Sequence, residues 1–97
     1  MSYKLDFYED ALKEWWKLEA TVRTQFKTKI IERLVNPRLA SAKLRDSKDR
    51  YKIKLRQIGY RLVYEVNDST VVVLVVAVGK RDKNAVYLMQ VKDKRAT

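Results

Sequence analysis

The spacing of hydrophobic and polar positions changes along this chain, and each change marks an element. Tyr3 to Tyr8 alternates apolar and polar residues, the signature of a first strand. From Glu9 to Leu18 the period lengthens. Ala11, Leu12, Trp15 and Leu18 recur at helical spacing, with Glu9 and Asp10 in the first turn, where the helix dipole favours acids. Trp16 falls beside that stripe. Thr21 is placed to cap a second helix, in which Val22, Phe26, Ile30 and Leu34 share one face until Asn36-Pro37 ends it. Two amphipathic helices so closely joined predict a hairpin that covers an apolar surface.

The second half supplies that surface. Tyr51 to Arg56 alternates strictly, with Tyr51, Ile53 and Leu55 on one face and Lys52, Lys54 and Arg56 on the other. After Gln57-Ile58-Gly59, Tyr60 to Val66 puts Tyr60, Leu62, Tyr64 and Val66 on an apolar face, leaving Arg61, Val63 and Glu65 opposite. Asn67-Asp68-Ser69 reads as a turn. Val71 to Val78 is apolar on both faces, which predicts a central strand. Lys83 to Lys92 carries a weaker helical pattern, with Val86 and Met89 on one side. The class predicted is α+β: a small single domain with an antiparallel-rich sheet, covered on one face by the N-terminal helix hairpin. A short C-terminal helix is expected near the open face.

The hairpin register follows from polarity. An even-length loop pairs Arg56 with Arg61, Lys54 with Val63 and Lys52 with Glu65, and keeps the apolar residues together; an odd loop would mix the faces. Lys52, Lys54, Arg56 and Arg61 then converge on the open face. Like charges directly opposite one another are destabilising, so the arrangement calls for an anionic ligand.

Charge sharpens that expectation. The 97 residues carry 22 Lys+Arg against 12 Asp+Glu, a net +10. The excess is segregated. Residues 1–36 hold seven basic and six acidic side chains, whereas 43–61 hold eight against two and 80–97 six against two. A merely soluble surface would mix the signs throughout, as the first third does. A polyanion-binding face in the middle and tail fits better. The longest apolar run, Val71 to Val78, falls far short of the roughly 20 residues that span a bilayer. The N-terminus has charges where a signal peptide is apolar. A soluble, cytoplasmic protein without a membrane partner is expected.

The absent residues narrow the chemistry further. There is no cysteine and no histidine, so disulfides, thiolate metal sites and Ser-His or Cys-His nucleophile pairs are excluded. No acidic cluster has metal-ligand spacing, which argues against a two-metal nuclease, and no Gly-rich loop could cradle a nucleotide. No cofactor or metal is expected. An enzyme built from this chain must run on Lys, Arg and Tyr. That set suits RNA cleavage, because the 2′-hydroxyl is a built-in nucleophile. A lysine among cations can serve as base, arginine forks the phosphoryl oxygens, and tyrosine stacks on a base. Phosphate binding without cleavage fits the spacing equally well.

Longer motifs separate the two. Lys43-Leu44-Arg45, Tyr51-Lys52-Ile53-Lys54-Leu55-Arg56, Gly59-Tyr60-Arg61-Leu62-Val63-Tyr64 and Val78-Gly79-Lys80-Arg81, with Tyr87 beyond, resemble the RelE family of toxins, as does Asp10-Ala11-Leu12-Lys13-Glu14-Trp15. The resemblance runs nearly end to end and implies one toxin domain over residues 1–97. It implies a metal-free endoribonuclease that cuts mRNA in the A site of the 70S ribosome. By motif, Lys52 is the general base, Lys54 stabilises the phosphorane, Arg61 clamps the scissile phosphate, Arg81 is the general acid and Tyr87 orients the mRNA. Arg45, with Lys43, Arg56 and Lys80, would bind RNA. Because arginine has a pKa above about 12, Arg81 is expected to act chiefly as a charge-assisted donor to the developing oxyanion. The resemblance also implies a RelB-type antitoxin that wraps the toxin and displaces the helix bearing Tyr87. Operator DNA would be reached indirectly, through that antitoxin. Arg50 and Trp16 have no role in this pattern. ParE-type toxins share the scaffold but poison DNA gyrase, and the complete basic set argues against that alternative.

Overall fold

The computed structural model describes residues 2–80. The predicted helix over Lys83–Lys92, together with Arg81 and Tyr87, lies outside the described residues. The elements run β1 (Lys4–Phe7), α1 (Glu9–Lys17), α2 (Ala20–Val35), a 3-10 turn (Ala40–Ala42), β2 (Arg50–Leu55), β3 (Tyr60–Asn67) and β4 (Val72–Lys80). The strands form one sheet in the order β1-β4-β3-β2, with β1 parallel to β4 and the other two pairings antiparallel. The α+β expectation and its antiparallel bias are thereby met, and β4 is central as its two apolar faces require.

The helices bury the faces their spacing marked. Val22, Phe26 and Ile30 of α2 and Ala11 and Trp15 of α1 are buried, with Leu18 and Leu34 partly so. Trp15 packs between Phe7 (ring centroids 5.5 Å) and Phe26 (6.2 Å), and so pins α1 to both β1 and α2. Truncating such a buried aromatic to alanine costs about 3–5 kcal/mol. Leu12 departs from the predicted stripe and is exposed. Thr21 is not the cap. The helix starts one residue before it, at Ala20, so the N-cap is Glu19, in extended backbone and without a side-chain cap bond. Arg23 instead ties this end of α2 to the preceding helix, donating to the carbonyls of Leu18 and Trp16. Its guanidinium lies 5.5 Å from the exposed Trp16 ring, which gives Trp16 a structural partner.

The strand ends fall within one or two residues of the prediction, and the start of β4 has a specific cause. Val71 adopts φ 57°, a left-handed conformation that closes the turn after Asn67, so β4 begins at Val72 and continues to Lys80. The β3–β4 register shifts between Val63 and Tyr64. Val63 faces Ala77 and Tyr64 faces Val75, leaving Val76 as the extra residue of a bulge.

Candidate functional site

The β2–β3 hairpin sets the site, and its register is the main correction to the sequence reading. Leu55 faces Tyr60, Lys54 faces Arg61, Lys52 faces Val63 and Arg50 faces Glu65. The ladder is therefore two residues away from the predicted pairing of Arg56 with Arg61, Lys54 with Val63 and Lys52 with Glu65. The physical reason lies in the turn. Arg56 to Gly59 form a four-residue loop closed by the Gly59 N–H to the Leu55 carbonyl at 2.9 Å, with Gly59 at φ +73°. That conformation suits a residue without Cβ. A slip of two preserves the faces, so polarity alone could not detect it.

The correction changes the electrostatics. Glu65 forms an ion pair with Arg50 at 3.0 Å, so the carboxylate expected opposite Lys52 is held at the far end of the hairpin. Arg50 thus gains a role that the sequence did not reveal. Lys52, Lys54 and Arg61 are half-buried on the sheet face opposite Tyr51, Ile53 and Leu55. Lys54 and Arg61 stand directly across the ladder from each other. On its other side Arg61 is in register with Gly79, and Lys80, exposed at the end of β4, with Tyr60. β4 therefore ends at Lys80, beside Tyr60 and Arg61.

The RNA-binding candidates are spread more widely. Arg56 is exposed and lines a cleft of about 250 Å³ with Lys52 and Lys54. Lys43 and Arg45 are exposed on the segment that runs along β2, where Lys43 bridges to Tyr51. They flank the cluster but do not line its cleft. Among the described residues, no three Asp or Glu side chains gather as metal ligands.

Arg33 escaped the sequence reading. It projects from the last turn of α2 and lines the same cleft. Its Nη1 donates to the Lys52 carbonyl at 3.1 Å and to the Tyr64 hydroxyl at 2.9 Å, and the Tyr64 hydroxyl donates to the Pro37 carbonyl at 2.7 Å. Burial pushes the Tyr64 hydroxyl above its ordinary pKa, while Arg33 pulls the other way. This chain of bonds fastens the edge of β2, and so the backbone of Lys52, to α2. A basic residue in a helix's last turn, where the dipole favours it, was the available signal.

A second polar network lies behind the hairpin. Arg38 bonds Asp68 at 2.8 Å and Asp49 at 3.1 Å, and the Tyr3 hydroxyl donates to Asp68 at 2.6 Å. The Tyr3 hydrogen bond and then Arg38 hold the Asp68 carboxyl below its usual range. These bonds join the β3–β4 turn to the N-terminus and to the loop that leads into β2.

Known proteins share this architecture and much of this sequence. Residues 5–85 match the family described as the ParE toxin of the type II toxin–antitoxin system parDE. The chain is 58% identical over 92 residues to the mRNA interferase toxin RelE of Escherichia coli K12, covering 95% of this chain and 97% of that one. A solved structure of the free E. coli toxin RelE, carrying two arginine-to-alanine substitutions, superposes with a TM-score of 0.89 at 56% identity, covering 96% of this chain and 98% of that one. The toxin in the intact E. coli RelBE toxin–antitoxin complex gives 0.79 at 59% identity, over 81% and 96% of the two chains.

Proposed function

The chain belongs to the RelE/ParE family of type II toxin–antitoxin toxins, and on that premise we propose that it is a ribosome-dependent mRNA interferase. One observation carries the reading: Lys52, Lys54 and Arg61 share one half-buried face, with Lys54 and Arg61 directly opposed. Two cations set against each other gain from a ligand with negative charge, and most from one whose charge grows during reaction. The likeness to relatives named as mRNA interferases favours RNA as that ligand over the gyrase alternative.

The bond changes can be written with groups of the chain, its substrate and water. Lys52 takes the proton of the 2′-hydroxyl as its oxygen attacks the adjacent phosphorus. Lys54 and Arg61 balance the charge that collects on the phosphoryl oxygens. Arg81 donates a charge-assisted hydrogen bond to the departing 5′-oxygen, and Tyr87 orients the mRNA. The bond to the 5′-oxygen breaks, that oxygen takes a proton from water, and a 2′,3′-cyclic phosphate and a 5′-hydroxyl remain. Lys43, Arg45, Arg56 and Lys80 would bind RNA around the reacting bond. The ribosomal A site would supply the codon in a fixed geometry, a contribution worth several orders of magnitude.

Residues 1–97 are read as one toxin domain acting in the cytoplasm. A RelB-type antitoxin would hold it inactive, in line with the RelBE complexes of its relatives. Through that antitoxin the complex would modulate repression at its own operator. Kinetics on programmed ribosomes test the catalytic reading. Arg61→Ala and Arg81→Ala are expected to depress the cleavage rate far more than ribosome binding. Equal losses in both would reduce the chain to a binding module.

A further inference from the structure

The cleft at the outer edge of β2 is built only partly from residues in the proposed chemistry. Among the described residues its cations are Arg33, Lys52, Lys54 and Arg56, with Ser41 at its wall, and no carboxylate lines it. By contrast, the cleft around Arg38, about 640 Å³, mixes Arg38 and Lys48 with Asp49, Glu65 and Asp68, and its acids are already paired. Among the described residues the edge cleft is thus uniformly positive, whereas the acids of the Arg38 cleft are paired.

Arg33 is the distinctive member. Its Nη1 is committed to the Lys52 carbonyl and the Tyr64 hydroxyl, which fixes the plane of the guanidinium. Its Nε and Nη2 have no hydrogen-bond partner among the described residues. A guanidinium so held can offer its remaining N–H groups to an anion without first losing the freedom of a long side chain. Arg56, on the turn after β2, is exposed on the same cleft. The two arginines come from different elements and line one cleft together with Lys52 and Lys54.

We infer that this cleft is a second phosphate site, in which Arg33 and Arg56 bind an RNA phosphodiester next to the one that is cut. Lys52 and Lys54 connect the two sites, since they border the cleft and also share a face with Arg61. The inference rests on RNA being the ligand of the basic face. The phosphodiester belongs either to the mRNA strand or to ribosomal RNA beside it, and the chemistry of recognition is the same for both.

The test uses the full chain and a 2′-O-methyl RNA oligonucleotide, which binds but cannot be cleaved. Binding is measured by fluorescence anisotropy over a range of salt concentrations, and in parallel with vacant 70S ribosomes. Arg33→Gln is expected to lower the slope of log affinity against log salt by roughly 0.7, the share of one single-strand phosphate. The loss should be the same for A-rich and U-rich oligonucleotides. Because Arg33 also supports β2, Ser41→Asp provides an independent arm, placing a negative charge at the cleft without touching those bonds. It should weaken binding in the same salt-dependent way at an unchanged melting temperature. Losses with the oligonucleotide place the site on the mRNA strand, and losses confined to ribosomes place it on ribosomal RNA. Unchanged salt slopes and affinities on both probes, in both variants, overturn the site. Wild-type codon cleavage, assayed separately, tells that failure from a failure of the ribonuclease reading.

Discussion

Lys54 and Arg61 face each other directly across the β2–β3 ladder. Opposed like charges on a sheet typically cost a few tenths of a kcal/mol to about 1 kcal/mol. Function and stability therefore pull in opposite directions at this pair. Lys54→Met is expected to leave the melting temperature unchanged or slightly raised. The same variant should lower ribosome-dependent cleavage by about a hundredfold or more, as removal of a preorganised donor does in other enzymes. Parallel calorimetry and single-turnover cleavage check both halves. A variant that melts much earlier, with activity lost in proportion, would show the pair to be structural.

Tyr64 supports the site from beneath. Its buried hydroxyl donates to the Pro37 carbonyl and accepts from Arg33. Tyr64→Phe should cost about 1–3 kcal/mol, because both partners lose a bond in a half-buried setting. The pH dependence carries its own signature. Burial raises the folded-state pKa of Tyr64 above the unfolded value. Its contribution is complete below the ordinary tyrosine pKa and is lost as pH rises through the folded value. Urea midpoints should fall on the alkaline side of about pH 10 in the wild type and fall less steeply in Tyr64→Phe. Parallel curves for the two proteins would contradict this.

Asp68 makes the opposite prediction on the acid side. Its folded pKa is depressed by the Tyr3 hydroxyl and then by Arg38. The stability it contributes is present above its unfolded pKa and is lost as pH falls through the lower folded value. In Asp68→Asn the acid limb of a urea-midpoint profile below about pH 4 should flatten, with the neutral plateau lowered. High salt should narrow the difference between the two proteins, since these groups are exposed. An identical acid limb in both would remove Asp68 from the account.

How much of this was legible in the sequence differs from element to element. The buried faces of α2 and of both hairpin strands followed from spacing, because burial enforces one period over many residues. The hairpin frame did not follow. Polarity distinguishes odd from even loops, but the choice of Leu55 or Gln57 opposite Tyr60 rests on the backbone of one turn at Gly59. The shared face of Lys52, Lys54 and Arg61 survives the slip of two, while the partners across the ladder change. Arg50–Glu65, Arg38–Asp68 and Arg33–Tyr64 join residues 15, 30 and 31 positions apart, and nothing local marks such pairs in advance. Arg81 and Tyr87 came from family resemblance alone and lie outside the described residues.

The central claim is cleavage through the RNA's own 2′-hydroxyl, and mapping the product ends tests it most directly. A defined mRNA on 70S ribosomes with an empty A site is incubated with the protein, with and without metal chelation by a calibrated buffer, and the cut and its end groups are mapped. The account predicts a cut within the A-site codon that leaves a 2′,3′-cyclic phosphate and a 5′-hydroxyl. Intact mRNA on ribosomes that demonstrably hold the protein would contradict it.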